Sequence, residues 1–360
     1  MNAHLPELFL VIMGFAMLAY VVLDGFDLGV GILLRRADEF EKDTMIASIG
    51  PFWDANETWL VLGVGVLLTV FPRAHGEILG ALYLPVALML IGLTLRGVAF
   101  DFRAKVKAER KALWDKLFYL GSLLASLAQG FMLGMHIVGY AYTLVNVLFA
   151  TFIACALASG YVLLGACWLI MKTQGALQVK ARYWATHALG LTGLGVAAVS
   201  IVTPMVSARI FERWFGLTEL LLLTPIPLLT LLLFGLCAWR LERLKIAHVA
   251  DDEANNLAGK SVLVGKPSLV GKPVSNPAWH RAWQPFACAV GIFCLAFFGL
   301  AYSLFPYLVV DKMTIWQAAT STDAMRLIAL GALISMPATL VYTVFSYRVF
   351  WGKAQPLSYG

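Results

Sequence analysis

Charge is what this sequence has least of. Asp, Glu, Lys and Arg together make up 13% of its 360 residues, against about 25% in an ordinary soluble domain. So few charges cannot cover the surface of a water-soluble globule. Hydrophobic residues are 60% and the mean hydropathy is +0.79, which marks an integral membrane protein. The same figures exclude a disordered segment, a disulfide-rich scaffold and a coiled coil. Cysteine is scarce too. Cys155, Cys167, Cys237, Cys288 and Cys294 all fall inside apolar runs. None belongs to a C-x-x-C or C-x-x-C-H motif, which excludes a dithiol redox centre and c-type haem attachment. The six histidines form no H-x-x-x-H pair and show no other metal-ligand spacing. No metal site and no bound cofactor are therefore expected on this chain. The first apolar run lacks a basic leader and carries two aspartates, so no cleavable signal peptide is expected.

Nine apolar runs are present, at 8–34, 52–71, 78–101, 115–140, 147–171, 184–205, 218–240, 284–306 and 326–350. Each can cross a bilayer as a helix, which needs roughly 20 residues. They are apolar all round rather than alternating, which excludes a barrel of strands. The expected fold is all-α, a single transmembrane domain over 1–360 with about nine spans. The net charge of +6 comes from Lys and Arg gathered in alternate loops, as in Arg35, Arg36 and Lys42, then Arg103, Lys105, Lys107, Arg110 and Lys111. That pattern marks cytoplasmic loops rather than a nucleic-acid surface. It places the N-terminus outside and the C-terminus in the cytoplasm. A flexible cytoplasmic loop is expected at 241–283, where Val264-Gly265-Lys266-Pro267 is nearly repeated as Val270-Gly271-Lys272-Pro273. The glycine spacing and the following prolines do not make a phosphate-binding loop.

The chemistry lies in charges inside the spans. Each costs roughly 2.5–3.5 kcal/mol on insertion scales, and such residues usually pair and mark an ion or proton path. Asp24 and Asp27 are three apart in Leu23-Asp24-Gly25-Phe26-Asp27-Leu28-Gly29 and share a helix face. Two like charges there cannot both ionise cheaply, which suits a proton carrier. Gly25 and Gly29 make a small face for a close helix neighbour. In Trp53-Asp54-Ala55-Asn56-Glu57-Thr58-Trp59, the spacing puts Asp54, Glu57 and Thr58 on one face. In Arg96-Gly97-Val98-Ala99-Phe100-Asp101-Phe102-Arg103, Arg96 either snorkels to the interface or neutralises a first-span aspartate. All three clusters fall in the cytoplasmic half. Three roles fit these residues: a proton entry path, a coupling-ion site in a secondary transporter, or a scaffold without chemistry.

Those three segments, with Ile315-Trp316-Gln317-Ala318-Ala319-Thr320-Ser321 before the last run, resemble subunit II of the cytochrome bd-type quinol oxidases, a family that includes cyanide-insensitive oxidases. The resemblance covers essentially the whole chain. It implies a subunit of a respiratory quinol:oxygen oxidoreductase in the bacterial inner membrane, electrogenic without pumping. The haem-bearing partner, subunit I, would hold haem b and haem d (or a second type of b haem) and oxidise quinol. Further implied neighbours are a small single-span accessory subunit, membrane lipid and a quinone. The family's proton-path positions carry over to Asp24, Asp27, Asp54, Arg96 and Asp101, and Glu57 joins them on its spacing. Trp59 matches a tryptophan close to the subunit boundary.

Overall fold

The structure, a computed structural model, describes residues 4–216, 223–263 and 281–354. The long helices are α1 (Leu5–Leu33), α3 (Trp53–Val70), α4 (Pro72–Lys105), α5 (Ala108–Ile137), α6 (Leu144–Lys172), α7 (Gly175–Val206), α9 (Pro225–Leu263), α10 (Gln284–Leu304) and α12 (Thr322–Val349). Short helices join them: α2 (Glu39–Ile49), α8 (Ala208–Phe215) and α11 (Ile315–Ala318). A small antiparallel pair, β1 (Tyr307–Val309) and β2 (Met313–Thr314), precedes α11. Among the described residues, eight helices are long and apolar enough to cross a membrane. The remaining long helix, α3, spans about 27 Å at 1.5 Å per residue, but Asp54, Asn56 and Glu57 in its first turns dilute its apolarity.

Local chemistry sets the boundaries. Asp38 and Glu41 close a reciprocal capping box at the start of α2, and Thr143 and Ser321 cap α6 and α12 with their hydroxyls. Pro85 kinks α4, where Leu82 leaves helical geometry. Proline has no N–H for the carbonyl four residues back. The Tyr142 hydroxyl donates to that carbonyl, on Ala81, at 2.6 Å.

The helices pack as two rings. One is α1, α3, α4 and α5; the other is α6, α7, α9 and α10; α1 and α5 both pack against α6 to join them. Glycines set the closest approaches. A methyl on Gly29 would lie 1.8 Å from the Tyr161 carbonyl oxygen, and one on Gly165 would lie 2.5 Å from the Val30 nitrogen. The backbones of α1 and α6 thus touch at the small face expected from sequence. Gly92 and Gly121 bring α4 against α5 in the same way, beside Arg96. The last helix, α12, packs chiefly on α3 and leaves Leu330, Leu333, Ile334 and Phe345 exposed.

Two opposite ends result. At one, the Trp316 indole donates to Glu7, Arg73 donates to the Gln317 carbonyl, and Arg209 pairs with Asp311. At the other, α2 lies across the helix ends. Arg103 pairs with Asp115 and, at 2.7 Å, with Asp43, while Lys180 pairs with Glu41 at 2.7 Å.

One sequence expectation needs revision. The segment expected as a flexible loop from 241 is helical as far as Leu263, because α9 continues without a break. The Gly-Lys-Pro repeat lies outside the described residues. The connection between the sixth and seventh runs contains α8, with Arg209 and Arg213 one turn apart.

Candidate functional site

The site is built on α1. Asp27 lies about 9 Å and Asp24 about 14 Å from the end of that helix at Leu33. Both are fully buried, and Arg96 of α4 is 1% exposed. The Arg96 Nη1 donates to Asp24 Oδ1 at 2.7 Å, and its Nη2 reaches Glu57 Oε2 of α3 at 3.2 Å. Of the two roles open to Arg96, neutralising a first-span aspartate is the one observed. Glu57 keeps its side chain 28% exposed, so it joins the buried pair to the surface.

Asp27 has different partners. Asn56 of α3 donates to Asp27 Oδ2 at 2.8 Å and more weakly to the Leu23 carbonyl at 3.3 Å. The Tyr347 hydroxyl of α12 donates to Asn56 Oδ1 at 3.1 Å, which fixes the amide's orientation. Beyond Asp24, the Gln129 amide of α5 donates to the Tyr20 hydroxyl at 2.8 Å and accepts from the Tyr161 hydroxyl of α6 at 2.6 Å. Among the described residues, Asp24 Oδ2, Asp27 Oδ1, Arg96 Nε and Ser122 Oγ are buried without a hydrogen-bond partner. Spare acceptors and donors at close quarters in low dielectric are the chemistry that a proton-holding site requires.

Of the six sequence candidates, the structure brings together Asp24, Asp27, Glu57 and Arg96. It does not bring in Asp54 or Asp101, which are both exposed. The reason is helical phase. The buried stripe of α3 is Ala55, Asn56, Trp59, Leu60 and Gly63; Asp54 lies behind it and Glu57 at its edge. On α4 the buried stripe passes through Arg96, Ala99, Phe100 and Arg103 and leaves out Asp101. Trp59, matched to a tryptophan near a subunit boundary, is 1% exposed and buried within this chain. Its indole donates to Thr343 of α12 at 3.2 Å and meets Phe15 edge-on. Sequence reasoning missed Asn56, Tyr20, Gln129, Tyr161 and Tyr347. Tyr20 was legible as the residue one turn before Asp24, and Gln129 as a lone amide within an apolar helix.

The profile described as Cytochrome bd terminal oxidase subunit II matches residues 5–350. The chain belongs to this family. Among subunit II relatives, it is 25% identical over 386 residues to the cytochrome bd ubiquinol oxidase subunit 2 of Bacillus subtilis (strain 168), covering 99% of this chain and 100% of that one. It is 22% identical to the cytochrome bd-I ubiquinol oxidase subunit 2 of Escherichia coli (strain K12), with 95% and 93% covered. The fold matches a chain of the bd oxidase from Geobacillus thermodenitrificans with a TM-score of 0.70 at 16% identity, covering 96% of this chain and 97% of that chain.

The cytochrome bd family implies haem, so the residues of this subunit II chain must be tested for it. Among the described residues, no three His, Cys, Asp or Glu side chains converge as a metal site. The His136 Nδ1 lies 2.5 Å from the Tyr140 hydroxyl, and the exposed His187 Nδ1 lies 2.9 Å from the Tyr183 carbonyl of its own helix. Both imidazoles are hydrogen-bonded through Nδ1 and belong to no converging group of three ligands among the described residues.

Proposed function

We propose that this subunit II supports a haem-bearing subunit I in quinol oxidation and oxygen reduction, and supplies a cytoplasmic proton path to it. In this reading the haems, whether b and d or b alone, sit on the partner. The end carrying α2 faces the cytoplasm of the bacterial inner membrane, as the Lys and Arg distribution of the loops supports. Asp54 and Asp101 stand at the entrance. Glu57 collects the proton, the Arg96–Asp24 pair sets the local field, and Asp27 holds the proton at the inner station. The helices α3 and α12 lie toward the partner, supported by the apolar face that α12 leaves exposed and by the match at Trp59. A quinone, lipid and a single-span accessory subunit are further neighbours that the family resemblance brings.

The observation that carries the reading is the half-exposed Glu57 bonded to the buried Arg96 beside Asp24. The test is Asp27→Asn and Glu57→Gln in the intact oxidase, with quinol oxidase turnover and the reduced-minus-oxidised spectrum measured together. The expected result is normal haem content with turnover down at least ~100-fold for Asp27→Asn, the scale of losing a positioned proton-transfer group. Loss of haem with loss of turnover would assign the acids to assembly. Wild-type turnover in both variants would remove the proton path.

A further inference from the structure

The acid cluster belongs to the first ring of helices. The second ring has a groove of its own, about 660 Å3 in volume, between α7 and α9. Small residues make it: Gly190 and Gly193 line it from α7, Gly235 and Ala238 from α9. It opens on the outside of the bundle, where Gly190, Gly235 and Ala238 are exposed. A methyl on Gly190 or Gly235 would meet nothing within 4 Å. Phe234 marks one end, since a methyl on Gly193 would lie 3.5 Å from its ring. Thr186 and Glu242 mark the other.

Cations gather at that second end, which is the end of the molecule that carries α2. Arg182 lies one turn before Thr186 on the same face of α7. On α9, Arg240 and Arg243 lie over the Trp239 ring, 4.2 and 5.2 Å from its centre. The indole itself is 45% exposed. A tryptophan among arginines at the end of a span sits at the depth of lipid headgroups. Lys245 pairs with Glu242 at 3.3 Å, so the acid at the mouth is already matched. Arg182, Arg240 and Arg243 form no salt bridge among the described residues, and Arg240 Nε is buried without a hydrogen-bond partner there.

We infer that the groove between α7 and α9 binds one anionic phospholipid, with an acyl chain on the glycines and the phosphate among Arg182, Arg240 and Arg243. Length favours a lipid over a second helix. From Arg182 to Gly193 is about 17 Å of helix, roughly half of a hydrocarbon core about 30 Å thick. The groove thus belongs to one leaflet, whereas a spanning helix needs a face across both. Beyond Phe234 the same face of α9 carries Leu231 and Leu228, 68% and 59% exposed, in place of small residues. Charge favours it too. Three unmatched cations at the mouth complement a phosphate, and basic pockets between spans suit anionic headgroups. Bound there, the lipid fills the gap between α7 and α9 and stabilises the second ring by mass action. The site goes beyond the proton path, since none of these residues belongs to the acid cluster.

The test uses the intact oxidase, purified in a lipid-depleting detergent and titrated with dioleoyl phosphatidylglycerol under native mass spectrometry. In the double variant Gly190→Leu with Gly235→Leu, the new side chains enter open space and fill the groove. The expected result is one tightly held lipid in the wild type that this variant loses, with haem content and quinol oxidase turnover unchanged. Arg182→Gln with Arg243→Gln is expected to weaken that binding at least about tenfold, the size of one lost hydrogen bond to a charged group. It is also expected to erase the preference over dioleoyl phosphatidylcholine. Added phosphatidylglycerol is expected to raise the Tm of the wild type but not of the leucine variant. Equal lipid binding and equal Tm shifts in wild type and leucine variant would remove the site. Equal affinity for phosphatidylcholine in the wild type would overturn the role of the arginines. A bound polypeptide, rather than a lipid, lost from the leucine variant would give the groove to a helix.

Discussion

At the scale of single residues, the site depends on one cation. Arg96 is the link between Asp24 and Glu57. Its removal alone leaves a carboxylate buried without a counter-charge, a loss of about 3–5 kcal/mol. Arg96→Gln is therefore expected to lower the yield of folded oxidase sharply. The double variant Arg96→Gln with Asp24→Asn removes both charges and is expected to recover most of that yield without recovering turnover. Yield by haem content and turnover by quinol oxidation read the two effects separately. Much of this was legible in the sequence. Aspartates three apart in an apolar run, and an arginine in another, announce a buried cluster by their cost alone. That Asp54 and Asp101 lie exposed, outside the buried cluster, was not legible, because a carboxylate near a helix end looks the same in sequence whether it faces in or out. The stripe at Asn56, Trp59, Leu60 and Gly63 decides the phase of α3, and its inward amide carries no charge to draw attention to it.

At the scale of elements, α2 works as a clamp across the helix ends. It is amphipathic only weakly, so ionic contacts fix it: Asp43 to Arg103 of α4, Lys42 to Asp115 of α5, and Glu41 to Lys180 of α7. Asp38 has its carboxyl held below the usual range, first by the backbone N–H of Glu41 and then by Lys180. Burial pushes Asp43 up, but the hydrogen bond and charge of Arg103 outweigh it, and the result is again below the usual value of 3.8. A depressed carboxyl contributes stability that is complete above its unfolded pKa and lost as pH falls through its folded one. Amide exchange in α2 is thus expected to stay slow down to about pH 4 and to accelerate below it. Arg103→Gln is expected to speed that exchange even at neutral pH, since it leaves Asp43 with only the longer Lys111 contact and the buried Asp115 with only Lys42. The spans themselves were legible because a run of apolar residues and a membrane-crossing helix are nearly the same statement. The helical extension of α9 to Leu263 was not. Its polar sequence satisfies helix formation as well as a loop, and periodicity cannot separate the two once the apolar signal ends.

At the scale of the whole molecule, two rings share the α1–α6 contact, and α12 stands outside both. A helix packed mainly on a single neighbour leaves most of its apolar surface to lipid or to another chain. Ile334 is 74% exposed on that surface. A cysteine at that position is expected to react readily with a membrane-permeant maleimide when this chain is expressed alone, and several-fold more slowly in the assembled oxidase. Equal labelling in the two states would place the partner on a different face.

The bonds of α12 also impose an order in time. Tyr347 completes the set around Asn56 and Asp27, and Thr343 receives the indole of Trp59. Lys353, just beyond, ties back to the carbonyls of Met171 and Thr173 at the end of α6. Asp27 sits on a helix made before the other described long helices, and Tyr347 on one made after them. While these helices are being made, the acid is already in the membrane before the hydroxyl that orients its Asn56 partner exists. The cluster closes only when the late helix docks, so the seating of α12 acts as a checkpoint for the chemistry of α1.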